Sequence, residues 1–155
     1  MMLEPHPIDV PGPSPSALTQ PFWDGCSGHE LLFQRCEDCG AAVFQPSTVC
    51  RNCTSRKLRW TPSTGRGVVY SWSTVWRPPT PAFKVPFVVA IVELEEGYQM
   101  VANIIGCTAS ALRTGLPVAV EFHPIGDGRV LPYFAPRPAG KQPQTTSLST
   151  EPDRT

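Results

Sequence analysis

At 155 residues the chain is long enough for one or two small compact units and too short for one large core. Lys plus Arg (13) equals Asp plus Glu (13), so no net charge calls for a polyanionic partner, which weighs against a dedicated nucleic-acid binder. Nineteen prolines, gathered at both ends and in one loop, exclude regular structure from those segments.

Residues 1–17 carry Pro5, Pro7, Pro11, Pro13 and Pro15 and are expected to form a mobile or draped arm. They hold no apolar run of signal-peptide length, and no later run approaches a membrane span, so cytoplasmic residence is expected. Residues 18–32 place Phe22 and Trp23 among polar residues and two glycines, a short N-terminal helix ending near Gly25.

Residues 33–60 hold the strongest signal. Cys36-Glu37-Asp38-Cys39 and Cys50-Arg51-Asn52-Cys53 are two C-x-x-C knuckles separated only by residues 40–49. Each knuckle offers two thiolates from one tight turn, and together they complete a tetrahedral Cys₄ shell for one structural Zn²⁺. A closed shell leaves no position for a substrate water, so the metal is expected to fold the chain and not to catalyse. Two disulfides would need an oxidising compartment, and a redox pair does not come doubled at this spacing.

From residue 61 to 136 the pattern becomes β. The run 67–76 alternates, with Val68, Tyr70, Trp72, Thr74 and Trp76 predicted on one face and Val69, Ser71, Ser73 and Val75 on the other. Residues 87–94 (FVVAIVEL) are apolar on both faces, as in a covered sheet. Glu95-Glu96-Gly97 turns the chain into a partner strand at 98–105. Residues 106–115 read as a short helical connection with Thr108 as cap and Gly115 as stop. Two more strands, 118–122 and 130–134, flank the turn Gly126-Asp127-Gly128. Five short strands with a break between the third and fourth match a five-stranded Greek-key barrel of the OB type; a small β-sandwich is the alternative. Residues 137–155 are expected to be a flexible tail or one ordered by a partner. The fold class is thus mainly β: an N-terminal helix, a Cys₄ zinc ribbon and an OB-type barrel between two arms.

The chemistry of the rest is sparse. There are three histidines and no Ser/His/Asp or Cys/His pattern, so no catalytic residue is assigned. Cys26 and Cys107 are expected to be buried structural thiols, His123 an ordinary edge position, and His29, just before the ribbon, at most an outer neighbour of a zinc that four cysteines already close. The loop 76–86 (WRPPTPAFKVP) is the candidate ligand surface: Arg77 and Lys84 suit an anionic group as charge-assisted donors, while Trp72, Trp76 and Phe83 suit an aromatic or apolar channel. Those rings serve equally well as barrel core. Phe22 and Trp23 are the candidate partner-docking surface, with packing on ribbon or barrel as the alternative.

The ordered combination of Phe22-Trp23, Leu32-x-x-Arg35-Cys36-x-x-Cys39-Gly40, Phe44-Gln45-Pro46, Cys50-x-x-Cys53, Trp60, Gly65-Arg66-Gly67-Val68-Val69-Tyr70-Ser71 and Val85-Pro86 resembles a known family. This is the bacterial and archaeal zinc-ribbon/OB-fold family whose members accompany thiolase-like or lipid-transfer-protein-like enzymes acting on acyl-CoA. The resemblance spans residues 18–136, with Thr54 where the family often has glycine. It implies a non-catalytic, obligate subunit of a hetero-oligomer that cleaves carbon–carbon bonds in CoA thioesters by retro-aldol or thiolase-type chemistry, steroid side chains included. It also makes Arg77 and Lys84 the candidates to meet CoA phosphates and Trp72, Trp76 and Phe83 the candidates to line an adenine or acyl channel. A free-standing acyl-CoA carrier and a nucleic-acid module are the other readings. The latter is disfavoured because the basic run Arg56-Lys57-Arg59 is too short to track a strand.

Overall fold

The computed structural model describes residues 1–138, so nearly all of the tail expected at 137–155 lies outside the described residues. Helix α1 (Gln20–Ser27) opens the folded part, with Pro21 in its first turn, where a missing N–H costs nothing. Phe22, Gly25 and Cys26 recur at helical spacing and form its buried face. Gly25 does not end the helix, as the sequence pattern had suggested. It sits inside α1 because a Cβ there would lie 2.8 Å from the Glu30 carbonyl oxygen and from Leu32 Cγ. The stop falls at Gly28, and His29 takes the left-handed conformation (φ 60°) that turns the chain away.

Three strands form the ribbon sheet, β1 (Leu32–Cys36), β2 (Ala42–Val43) and β3 (Leu58–Pro62), in the order β2-β1-β3. Gln34 is buried in β1 with both ends of its amide used: Ser47 N–H donates to Oε1 at 2.7 Å, and Nε2 donates to the Ser47 carbonyl at 3.1 Å. A satisfied buried amide of this kind pins the ribbon loop where an apolar residue could not.

The remaining strands are β4 (Arg66–Val75), β5 (Phe87–Leu94), β6 (Gln99–Ile104), β7 (Pro117–Pro124) and β8 (Val130–Pro136). They close into a barrel in the order β4-β5-β6-β8-β7, with β6 and β8 parallel and the other pairs antiparallel. A 3₁₀ turn at Ala109–Ala111 makes the break between β6 and β7. This is the OB arrangement, a Greek key whose fifth strand slots between the third and fourth.

The alternation predicted along β4 does not hold throughout. The register slips between Val69 and Ser71, leaving Tyr70 as the extra residue of a bulge. Val69 pairs with Val92, but Trp72 then pairs with Ala90 and Thr74 with Val88, which face the interior. Trp72 therefore shares a face with Val69, not with Val68, because one inserted residue inverts every side chain after it.

Helix, ribbon and barrel share one core. Phe33 of β1 stacks on Tyr98 of the barrel (5.0 Å between centroids), Phe44 packs on Tyr98 (5.1 Å), and Phe22 on Phe44 (5.6 Å). Phe33 and Phe134 are fully buried. Each such ring is worth about 1.5–3 kcal/mol relative to exposure, so ribbon and helix are welded to the barrel rather than tethered. The proline-rich arm is draped over the barrel. Met2 bridges Thr108, Leu3 exchanges backbone hydrogen bonds with Gly106 and Cys107, and Leu3 and Val10 are buried. Among the described residues no helix is long and apolar enough to cross a membrane.

Candidate functional site

The two knuckles converge. Cys36 and Cys50 are buried, Cys39 and Cys53 exposed, so each turn lends one inner and one outer sulfur. The four sulfurs lie within 4.8 Å of one another, with Cys36–Cys53 at 3.6 Å and Cys39–Cys50 at 3.7 Å. A tetrahedral ion with metal–sulfur bonds of about 2.3 Å requires sulfur–sulfur edges of about 3.8 Å. A disulfide requires about 2.05 Å. The donor set fits a thiophilic dication and does not fit two disulfides.

Local geometry explains why the chain turns here. Gly40 (φ 74°) and Thr54 (φ 62°) follow the last cysteine of each knuckle in the left-handed region, and their N–H groups bond back to the Cys36 and Cys50 carbonyls at 2.9 Å. Glycine takes that conformation freely; threonine does so at a cost of about 1–2 kcal/mol. That cost is sustained only where other interactions fix the turn. Asp38 ties the knuckles together through the Lys57 ammonium (3.0 Å) and the Ser55 hydroxyl (2.6 Å), which hold its carboxyl below the usual range. The Asn52 side chain donates to Cys39 Sγ (3.5 Å) and helps hold that thiol down to about 6. The Ser55 backbone acts in the same direction on Cys53, yet the crowding sulfurs of Cys39, Cys36 and Cys50 push it up to about 12. Four thiols this close cannot all ionise without a cation between them, which is the electrostatic case for a metal.

The other candidates are scattered. Phe22 is buried in the shared core, and Trp23 beside it is half-buried against that core. Trp76 is 71% exposed at the end of β4, with Arg77 beside it in the open. Phe83 is half-buried against His6, and Lys84 pairs with Glu4. Cys26 is fully buried, which pushes its thiol up to about 12, and burial also raises Cys107. Neither is a ready nucleophile. His29 stacks on Phe122 (5.6 Å) and His123 meets Glu121 (3.3 Å), both ordinary surface arrangements. Lys57 and Arg59 of the basic run are already paired with Asp38 and Glu37.

Sequence reasoning missed a cleft of about 490 Å³. Its floor is the outer face of β6 and β8 (Val101, Asn103, Tyr133), and its walls are Trp23 of α1 and the Phe44–Pro46 turn. No charged side chain lines it, and none of Trp72, Trp76, Arg77, Phe83 and Lys84 reaches it. The alternation along β6 carried the signal, since burial of Met100, Ala102 and Ile104 obliges Val101 and Asn103 to point outward.

A sulfur-rich ribbon fused to a five-stranded barrel defines a zinc-ribbon/OB-fold protein. Two family models match: "ChsH2, rubredoxin-like zinc ribbon domain" over residues 23–59 and "ChsH2, C-terminal OB-fold domain" over residues 60–123. The "3-oxo-4,17-pregnadiene-20-carboxyl-CoA hydratase alpha subunit" of Mycobacterium tuberculosis is 37% identical over 110 residues, 71% of this chain and 35% of that one. This chain therefore spans about a third of the length of that relative. A "DUF35 domain-containing scaffold protein" of Methanothermobacter thermautotrophicus is 32% identical, covering 68% of this chain and 83% of its own length. A solved chain titled "Ltp2-ChsH2(DUF35) aldolase" superposes with a TM-score of 0.75 at 31% identity, over 81% of this chain and 98% of that one. The chain belongs to the DUF35 family.

Proposed function

We propose that this chain is a non-catalytic subunit of a complex that processes acyl-CoA, and that a thiolase-like or lipid-transfer-protein-like partner carries the reacting groups. The observation that carries the reading is the likeness, over nearly the whole of that chain, to the DUF35 component of an aldolase assembly. The name of that solved chain, an aldolase, supports retro-aldol chemistry as the finer assignment, with thiolysis as the other carbon–carbon reaction of the class. A relative named as a hydratase subunit for a steroid-type CoA ester supports steroid side chains as the substrate class. Cys36, Cys39, Cys50 and Cys53 hold one structural Zn²⁺. Trp72, Trp76, Arg77, Phe83 and Lys84 are proposed to meet the CoA ester, and the cleft beside Trp23 to receive the partner.

Reconstitution tests the assignment. The isolated chain is expected to turn over no CoA thioester, and activity is expected on addition of the partner. Cys107→Ser, which touches a buried thiol of raised pKa, should leave the rate of the complex within about three-fold of wild type. Turnover by the isolated chain would overturn the non-catalytic reading.

Trp23→Ala addresses the docking face. Trp23 is only half-buried, so the melting temperature of the isolated chain should fall by a few degrees at most, whereas affinity for the partner should fall by roughly 30-fold or more, the ~2 kcal/mol typical of an aromatic anchor. Unchanged affinity would place the interface elsewhere.

A further inference from the structure

Phe87, Asn103 and Tyr133 belong to three adjacent strands and share the outer face of the barrel, since Val88, Ile104 and Phe134 beside them point inward. Phe83 leans over this face from the proline-rich loop, its ring tilted 30° from that of Phe87 at 5.9 Å, so the two rings make a platform. The chain's own arm covers it. The His6 ring stands edge-on to Phe87 (4.7 Å) and Phe83 (5.0 Å), and its Nε2 accepts from the Asn103 side-chain amide (3.4 Å). Two residues earlier, Glu4 gives its carboxylate to the Lys84 ammonium.

An anion on a lysine, a flat nitrogen heterocycle on an aromatic platform, and an asparagine amide at the heterocycle's edge are the elements that recognise an adenine nucleotide. We infer that residues 4–7 of the arm occupy, in cis, a seat for the nucleotide end of a CoA ester, with Glu4 in the place of a phosphate and His6 in the place of the base. This rests on the acyl-CoA reading above and adds a gate to it: the arm must leave before the nucleotide can bind.

The cover is built to be displaced. Pro5 and Pro7 flank His6 and keep it out of any strand ladder. Among the described residues, the only backbone hydrogen bond from residues 4–7 to the barrel is from His6 N–H to the Tyr133 hydroxyl, at 3.3 Å. Both partners of the Glu4–Lys84 pair are 57% exposed, where such pairs are worth about 0–1 kcal/mol. A phosphate brings more charge and more acceptor oxygens than the carboxylate, and a purine covers more of the platform than an imidazole. Leu3 and Val10 stay buried on either side and the Ile8 carbonyl accepts from the Gly126 N–H, so residues 4–7 between these anchors can open without releasing the whole arm. The arm also precedes the region matched by the family models, which begins at residue 23.

The test is equilibrium binding of CoA, ADP and pantetheine to the full chain and to its Glu4→Gln/His6→Ala double variant, which keeps both anchors. CoA and ADP affinity should rise at least tenfold in the double variant while pantetheine is unaffected, and Lys84→Ala in that background should abolish the gain. Equal affinities in the two chains, or no CoA binding by either, overturn the gate; a gain for pantetheine but not ADP overturns the nucleotide assignment. Limited proteolysis of the wild-type chain gives a second readout that needs no variant: saturating CoA should speed cleavage within the arm, and protection or no change would count against displacement. Because these arms use free ligand and no partner, their failure is distinguishable from failure of the subunit reading, which reconstitution decides.

Discussion

Cys39→Ala is expected to strip most of the zinc from the purified protein and to send the chain largely into the insoluble fraction, whereas Cys107→Ser should retain about one zinc per chain. The small ribbon cluster explains the size of the effect. Cys36, Val43 and Cys50, with Ala41 and Leu58 against them, are all that the metal-bearing loops bury by themselves. At about 0.8 kcal/mol per buried methylene, that cluster contributes a few kcal/mol. Ordering the backbone of the two knuckles and the loop between them costs about 1–2 kcal/mol per residue. A structural zinc site supplies on the order of 10 kcal/mol, so the metal decides whether these loops fold. The damage will spread, because Phe44 leaves the ribbon to pack on Tyr98 and Phe22 and forms one wall of the cleft. Metal analysis and the soluble yield check the prediction. A soluble Cys39→Ala protein with its full zinc would sink the Cys₄ assignment.

The grouping of the four cysteines and the barrel order were legible because both are written locally. Two knuckles at short spacing leave few ways to arrange four thiols. Strands that alternate, punctuated at Gly97 and at Gly126–Gly128, are read within windows of a few residues. What escaped depends on contacts distant in sequence or on single-residue insertions. The bulge at Tyr70 inverted half of β4, and nothing in Val69-Tyr70-Ser71-Trp72 announces it, since each residue is a good strand former in either register. Gly25 looked like a stop because glycine more often ends helices, whereas here the approach of Glu30 and Leu32 requires it. The arm gave no periodic signal at all, because prolines remove the ladder donors that would give it a strand's period. Its place is set instead by contacts far along the chain, Leu3 with Gly106 and Cys107 and His6 with Phe83, Phe87 and Tyr133. The pair Phe22-Trp23 was recognised as an aromatic unit, but helical phase decides which ring is core, and it buries Phe22 with Cys26 four residues on.

Gly67→Ala is expected to destabilise the barrel by about 3 kcal/mol or more, although it adds a single methyl group. Gly67 pairs with Leu94 of β5 on one side and with Val118 of β7 on the other, so it lies where β4 closes the barrel. A Cβ at Gly67 would fall 2.3 Å from the Glu93 carbonyl oxygen and 3.1 Å from Leu94 Cα. Both are backbone atoms of a paired strand, and no rotamer change can relieve the overlap. One of the two ladders must therefore open. Overpacking in a well-packed core typically costs about 1–3 kcal/mol, and the loss of closing hydrogen bonds adds to it. Gly97→Ala is the matched control. A Cβ there meets open space, but its φ of 88° is unfavourable for alanine, so a loss of only about 1–2 kcal/mol is expected. Urea unfolding of the three chains, with the midpoint shifting at constant slope, measures both values. The effect should reach function through β8, which is held between β7 and β6 and carries Tyr133 into the floor of the cleft. Partner affinity should thus fall in Gly67→Ala and not in Gly97→Ala. Equal losses of stability in the two variants would mean that β4 and β5 can move apart without cost, and that closure at Gly67 does not hold the cleft in shape.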